Sequence, residues 1–413
     1  MLALIAARRF GPLFVTQFLG AFNDNLFKTA FIFAVTFRLR ADDPAGAAAL
    51  ATVAAGVFIA PYILFSGLAG DLADRLDKAL IAVWVKVAEI AFMGLGTLAL
   101  ALDSEALCLG VLALMGLHST IFGPVKYAIL PQHLAERELL LGTGLVEGAT
   151  FVAILLGQIA GGLLPTGLAG PVAIGIAVAG LLSARFIPPA PPAGERGRID
   201  WNPLTSTRTA LGHAFSSRPL SIATLAISWF WALGAIYTSQ FVPLARNYLG
   251  GNEALATFFL AAFSVGIAVG SAGVARLLRG RISARLAAPA VLVMALAALD
   301  LYFAESAFSG APAGSISGLL SRPAGWRLMF DLLAMALAGG VFSVPLYGIL
   351  QTATRPQARA RTIAANNIVN AIFQVGGVLI IGSVLGGGAP VPLALAAAGL
   401  TGLLLIPLLR QLP

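Results

Sequence analysis

Four polar residues, Asn23, Asp24, Asn25 and Lys28, interrupt the otherwise apolar stretch FLGAFNDNLFKTAFIF over residues 18–33. The apolar run containing them, residues 12–37, is long enough to cross a bilayer, because about 20 helical residues span the hydrocarbon core. Asp24 then falls near the midplane, where an acid costs about 2.5–3.5 kcal/mol by insertion scales and normally faces a partner or a cavity. At helical spacing Gln17, Gly20, Ala21, Asp24 and Lys28 share a face, while Phe14, Phe18 and Phe22 lie elsewhere. Two readings follow. Asp24 and Lys28 form an i, i+4 pair that neutralises both charges, with Asn23 and Asn25 still to be satisfied; or Asp24 faces a central cavity and contacts a cationic or hydroxylated group.

Further along, GPVKYAILP places Lys126 inside an apolar run, and the next run carries Glu147 and Gln158 on a face shared with Thr150, Phe151 and Ile154. Lys126 and Glu147 either form a structural salt bridge or serve a bound molecule. A lysine ammonium in a cavity supplies a phosphate with a point charge and rotatable donors. Lys86 and Glu89, at i, i+3, are read as helix pairing. In RTIAANNIVNAIFQV, Asn366, Asn370 and Gln374 recur every four residues without a charge, and bind neighbouring helices or line a polar cavity. Trp229, Trp231 and Tyr237 are packing residues or interface anchors, or line an acyl path.

The elements that must position these residues are membrane spans. Of the 413 residues, 59% are hydrophobic and 11% charged, a composition outside that of soluble domains. After the first run, apolar windows lie near 47–70, 79–102, 106–130, 139–165, 168–187, 219–247, 253–278, 285–305, 326–352, 362–385 and 389–409, giving twelve spans. The 46 glycines and 23 prolines suit spanning helices, whose small residues permit close approach. The first run is too long for the apolar core of a cleaved leader and lacks a small-residue cleavage site. Cys108 is the single cysteine, so neither an intrachain disulfide nor a cysteine metal cage is expected. The net charge of +8 does not point to nucleic acid. With the amino terminus inside, the inner loops collect eighteen bases, among them Arg75, Arg137, Arg196, Arg198, Arg279 and Arg361, against Arg38, Arg40, Arg246, Arg322 and Arg327 outside. The positive-inside rule thus places both termini in the cytoplasm.

The chain reads as duplicated. FGPVKYAIL (122–130) matches FSVPLYGIL (342–350) in Phe, Tyr, Ile and Leu, and GLAGDLADRLDK (67–78) matches GSAGVARLLRGR (270–281) in its glycines and terminal base. A weaker match pairs Gly20-Ala21 with Gly234-Ala235. Such repeats often flank a transporter's site. The Pro-rich, polar stretch between them is a linker. The expected fold is therefore an all-α polytopic membrane protein, with a six-helix bundle over 1–187, a cytoplasmic linker over 188–218 and a second six-helix bundle over 219–413.

In GLAGDLADRLDK, Gly70, Asp71, Asp74, Arg75 and Lys78 sit at the inner end of the second span. They are solvated charges, or ion pairs and helix-end contacts present in one conformation only, which makes them candidates for conformational gating. The segment resembles the loop 2–3 signature of the major facilitator superfamily, with Asp77 where that pattern usually has glycine and Ala79 in place of a second base. More specifically, QFLGAFNDNLFK, FGPVKYAILPQ, RIDWNPLT, YLGGNE and RTIAANNIVNAIF resemble the lysophospholipid transporter branch, including the transporter halves of bacterial transporter–acyltransferase fusions. The pieces extend from the first span to the eleventh.

That resemblance implies movement of lysophospholipids, such as lysophosphatidylethanolamine, across the bacterial inner membrane by alternating access, toward reacylation by a separate cytoplasmic acyltransferase. It implies that Asp24 and Asn25 meet the head group and Lys126 the phosphate; Gln17, Glu147, Asn366 and Asn370 complete the candidate binding set. No cofactor or metal is expected. Acyltransferase activity is not expected either, since the His-x4-Asp pattern is missing: Gly123, Glu138 and Arg218 stand at that spacing from His118, His133 and His213. The alternatives are a proton-coupled exporter of amphipathic cations or drugs, with Asp24 or Glu147 titrating, and a membrane enzyme acting on lipids, which lacks a nucleophile–base arrangement.

Overall fold

The computed structural model describes residues 1–194, 199–308, 310 and 312–413. Arg196 and Arg198, counted above among the inner bases, lie outside the described residues. Twelve long helices run α1 (Gly11–Ala34), α2 (Pro44–Arg75), α3 (Lys78–Ala101), α4 (Glu105–Ala128), α5 (Glu136–Leu163), α6 (Thr166–Ala184), α7 (Arg218–Pro243), α8 (Glu253–Leu277), α9 (Ala287–Ser306), α10 (Pro323–Thr352), α11 (Arg359–Gly386) and α12 (Val391–Leu400, continued as a 3₁₀ turn over Thr401–Leu405). A shorter linker helix spans Pro203–Ala214. The described residues contain no strand. Among the described residues, eleven helices are long and apolar enough to cross a membrane. The twelfth is α1, whose central polar cluster lowers its hydropathy although it packs among the others.

Local chemistry sets the helix starts. Asp43, Asp77, Ser104 and Asn252 each accept a hydrogen bond from a backbone N–H in the first turn of α2, α3, α4 and α8 respectively, using donors that no helical carbonyl can reach. The aspartate that replaces the signature glycine at position 77 is the cap of α3, accepting from Ala79 N at 2.8 Å, and its φ of −66° makes no demand for glycine.

Packing repeats with an offset of six helices. In the first half α1 rests on α5, α2 on α4, and α3 on both α4 and α6; in the second, α7 rests on α11, α8 on α10, and α9 on both α10 and α12. The halves meet chiefly where α2 faces α11 and α5 faces α8. The repeat is visible at one further point: Tyr127 and Tyr347, equivalent residues of the two matched segments, stack with ring centroids 4.5 Å apart and planes 9° apart.

Contacts between the halves gather toward the face that carries both termini and the linker. There the α2–α11 and α5–α8 crossings depend on missing side chains. A Cβ at Gly70 would lie 2.7 Å from Ala364 Cβ, and one at Gly144 would lie 2.1 Å from the Ser271 carbonyl oxygen. The linker helix reinforces this face by packing on α2 and α11, where a Cβ at Gly67 would lie 2.4 Å from Thr207 N. Toward the other face, Cβ atoms at Gly56 of α2 and Gly376 of α11 would meet nothing within 4 Å. The halves thus meet at backbone distance near the termini face. Gly144→Val forces backbone apart at the seal, an overpacking cost of about 1–3 kcal/mol. The variant should show a lower thermal midpoint in detergent, whereas Gly56→Ala should leave the midpoint at or above that of the parent.

Candidate functional site

A cavity of about 300 Å³ lies between the halves. From α1 it receives Gln17, Gly20, Ala21, Asp24, Asn25 and Lys28, the stripe expected from spacing with Asn25 added. The wall from α4 consists of Ser119, Phe122, Gly123 and Lys126, an i, i+3, i+4, i+7 series, together with His118 and Tyr127. Phe58, Ile59 and Tyr62 of α2, Thr150 and Ile154 of α5, and Asn367, Asn370 and Gln374 of α11 close the remaining sides. The floor toward the termini face is aromatic. The Tyr127–Tyr347 stack lies there, the Trp231 indole donates to Tyr347 Oη at 2.8 Å, and Phe151 stacks on Trp231 at 5.4 Å.

Asp24 is 7% exposed and accepts a hydrogen bond from the Ser119 hydroxyl, while its Oδ1 has no hydrogen-bond partner. The i, i+4 pair does not form. Lys28 instead places its ammonium over the Phe58 ring, 5.4 Å from the centroid, where the quadrupole of the aromatic face attracts the cation. Nor do Lys126 and Glu147 form a salt bridge. Lys126 Nζ donates to Thr150 Oγ1 at 3.3 Å and lies 5.0 Å from the Tyr127 ring centroid. Thr150 in turn donates to Gln17 Oε1 at 3.1 Å, which joins α1, α4 and α5. Glu147 is fully buried and accepts from the Tyr127 hydroxyl, so the tyrosine stands between it and the cavity. Asn25 donates to the Ala21 carbonyl oxygen at 2.8 Å. Among the α11 amides, Asn370 lines the cavity and accepts from Ser228 at 2.7 Å, whereas Asn366 is fully buried off the wall. Its neighbour Asn367 takes the place in the lining that the four-residue spacing had suggested for Asn366.

Behind α1 lies a second polar group. Lys86 Nζ and Glu89 Oε2 are 2.5 Å apart, both side chains fully buried, and Asn23 donates to Glu89 Oε1 at 2.7 Å. The helix pairing expected for Lys86 and Glu89 is therefore present. Gly20 makes room for it, since a Cβ there would lie 2.6 Å from Lys86 Nζ. Asn23 thus points away from the cavity, on the face of α1 opposite Asn25.

At the termini face Asp74 accepts from Ala360 N at 2.9 Å, from Arg361 N at 3.1 Å and from Arg361 Nε at 3.1 Å. A carboxylate of the first half thereby caps the start of α11 in the second, where unpaired N–H groups and the helix dipole favour negative charge. Asp71 binds Arg75 at 2.8 Å and accepts from Asp200 N of the linker at 3.2 Å. Lys78 is buried nearby, its backbone N–H donating to Ala190 O at 3.0 Å. Gly70 sits at the same crossing.

The twelve-helix architecture with its repeated packing defines a membrane transporter fold, and the sequence bears this out. The chain belongs to the Major Facilitator Superfamily, whose pattern matches residues 13–374, and it is a multi-pass membrane protein. It is 27% identical over 368 residues to the lysophospholipid transporter LplT of Salmonella gallinarum, covering 86% of this chain and 82% of that one. It is 26% identical to the protein of the same name from Escherichia coli O1:K1 / APEC, with 86% and 83% covered. The human organic anion transporter MFSD10 (TETRAN) shares the fold with a TM-score of 0.77 at 15% identity, over 97% of this chain and 99% of that one. The transporter FucP in its outward conformation does so with a TM-score of 0.70 at 14% identity, over 97% of each chain.

Lys86→Met strands a buried Glu89 carboxylate, a loss of about 3–5 kcal/mol for a broken buried pair. The single variant should have a clearly lower thermal midpoint than the parent, and Lys86→Met/Glu89→Gln should recover much of the difference. A parent-like midpoint for Lys86→Met would show that the pair contributes nothing.

Proposed function

We propose that the chain moves lysophospholipids, such as lysophosphatidylethanolamine, across the bacterial inner membrane by alternating access, with both termini in the cytoplasm. The observation that carries this reading is the shared cavity of Asp24 and Lys126. An acid with a free oxygen and a lysine held only by a threonine hydroxyl and a ring face match the ammonium and phosphate of a zwitterionic head group. The volume of about 300 Å³, at the small end of ligand sites, suits a head group and leaves the single acyl chain to apolar side chains or lipid. The relatives named as lysophospholipid transporters support the same substrate class. Gln17, Asn25 and Asn370 would contribute polar contacts, and Glu147 would act through Tyr127.

In this reading Gly70, Asp71, Asp74, Arg75 and Lys78 gate the cytoplasmic side. Opening that side separates Asp74 from the α11 N-terminus, so the acid stabilises only the conformation seen here. Asp74→Asn loses charge-assisted bonds of about 1.5–3 kcal/mol for a charged hydrogen-bonding group. The expected outcome is greater labelling, from the cytoplasmic side, of a cysteine introduced at Ala364; unchanged labelling would separate Asp74 from gating.

Transport itself is tested by uptake of labelled lysophosphatidylethanolamine into spheroplasts expressing the chain. Asp24→Asn/Lys126→Ala should lower uptake by about tenfold or more, the scale of a lost pair of charged contacts. Wild-type uptake by the double variant would remove the proposed site, and drug efflux without lysolipid uptake would favour the exporter.

A further inference from the structure

The linker helix, Pro203–Ala214, presents three unlike sides. Ser206, Ala210 and Ala214, at i, i+4 and i+8, are buried against the protein, and the two alanines pack with Ala365 of α11. On one flank of that buried face, Leu204, Arg208, Leu211 and Phe215 follow at i, i+4, i+7 and i+11. Leu204 is 81% exposed and Phe215 44%, and Trp201, just before the helix, is 68% exposed. On the other flank lie Thr205, Thr209 and His213.

The neighbours of the helix fix which way each flank looks. It packs beside the spans and not beneath them, because Gly67, where a Cβ would meet Thr207 N, and Ala365 fall inside the apolar windows 47–70 and 362–385. Further into the bilayer on the same faces, at i−3 and i+7, Leu64 of α2 is 55% exposed and Ile372 of α11 is 51% exposed. The surface above the helix is therefore apolar and open. The polar flank turns the opposite way. Burial, and then Arg361 and Arg355, hold the His213 imidazole below its usual value; Arg361 stands in the first turn of α11 and Arg355 in the connection before it. Since the helix bridges α2 and α11, its axis runs along the edge of the hydrocarbon layer.

We propose that the linker helix is seated in the membrane leaflet at the termini face, with Leu204, Leu211 and Phe215 among acyl chains and Arg208 on a lipid phosphate. Helices that lie in a bilayer surface carry Leu, Phe and Trp on one side and bases on the polar side, and tryptophan prefers the interfacial level. Arg208 makes no ion pair among the described residues. Its long stem lets the guanidinium reach from the apolar flank to the head groups, and its planar fork matches phosphate oxygens. A water-soluble protein would have to enter the hydrocarbon layer to cover the same flank. This seating is independent of what the chain transports.

Nitroxide labels on the full chain, carrying Cys108→Ala to remove the native thiol, test the seating in vesicles of phosphatidylethanolamine and phosphatidylglycerol. Labels at Leu204→Cys and Phe215→Cys should collide several-fold more often with dissolved oxygen than with a water-soluble nickel chelate, and a label at Thr209→Cys should show the reverse order. All three positions are exposed, so the labels need no repacking. Chelate access at Leu204 and Phe215 equal to that at Thr209 overturns the seating and marks the flank as a water-facing surface for a protein. Arg208→Glu sets a negative charge against the phosphate and should raise chelate access at Leu204 several-fold, while Arg208→Lys keeps the access of the parent. Unchanged access in Arg208→Glu overturns the phosphate contact.

Discussion

A spanning helix that carries several polar side chains must give each of them a partner or water, because the bilayer core offers neither. α1 meets that constraint on two faces. On one, Asn23 and the space above Gly20 accommodate the Lys86–Glu89 pair; on the other, Asp24 and Gln17 are held by Ser119 and Thr150 beside an open cavity. The position of α4 follows from this demand, since it supplies Ser119 and His118, as does that of α5, which supplies Thr150. The polar faces of this helix cannot face lipid, so they lie against α3, α4, α5 and the cavity.

The seal at the termini face rests on a different principle. Glycines allow α2 to meet α11 and α5 to meet α8 at backbone distance, and Asp74 then places a charge against the exposed N–H groups of α11. Close packing and a capping carboxylate reinforce one another, because the cap forms only when the backbones are that near. The capping acid is not repeated in the second half: the segment matching Gly67 to Lys78 retains the glycines and the final base but lacks the acids. The duplicated scaffold therefore carries an asymmetric lock.

Much of this was legible in the sequence, for identifiable reasons. Twelve apolar windows gave the helices because hydrocarbon thickness fixes their length, and the α1 stripe gave the cavity-facing residues because helical periodicity is independent of the partner. Pairings between helices were less accessible. Lys28 and Asp24 have ideal spacing for a bond, yet Phe58 on another helix and Ser119 on a third take them, and such tertiary competitors are invisible to local spacing. Glu147 shares a face with Thr150 but is screened by Tyr127, and Asn366 yields to Asn367 because the helix presents a different edge. His118 was weighed only as part of an acyltransferase pattern; the series Ser119, Phe122, Gly123, Lys126 would have marked its surroundings as a cavity wall.

The stacked tyrosines at the floor have an electrical consequence. Where water fills the cavity from one side, it carries the potential of that bathing solution inward as far as the aromatic plug, and the transmembrane voltage then drops across the remaining portion alone. Field strength there exceeds that of a uniform slab, and a charge crossing the full drop exchanges about 2.3 kcal/mol per 100 mV. Lys126, immediately beside Tyr127, stands at the edge of this focused region, and any rearrangement of the plug displaces that ammonium along the gradient.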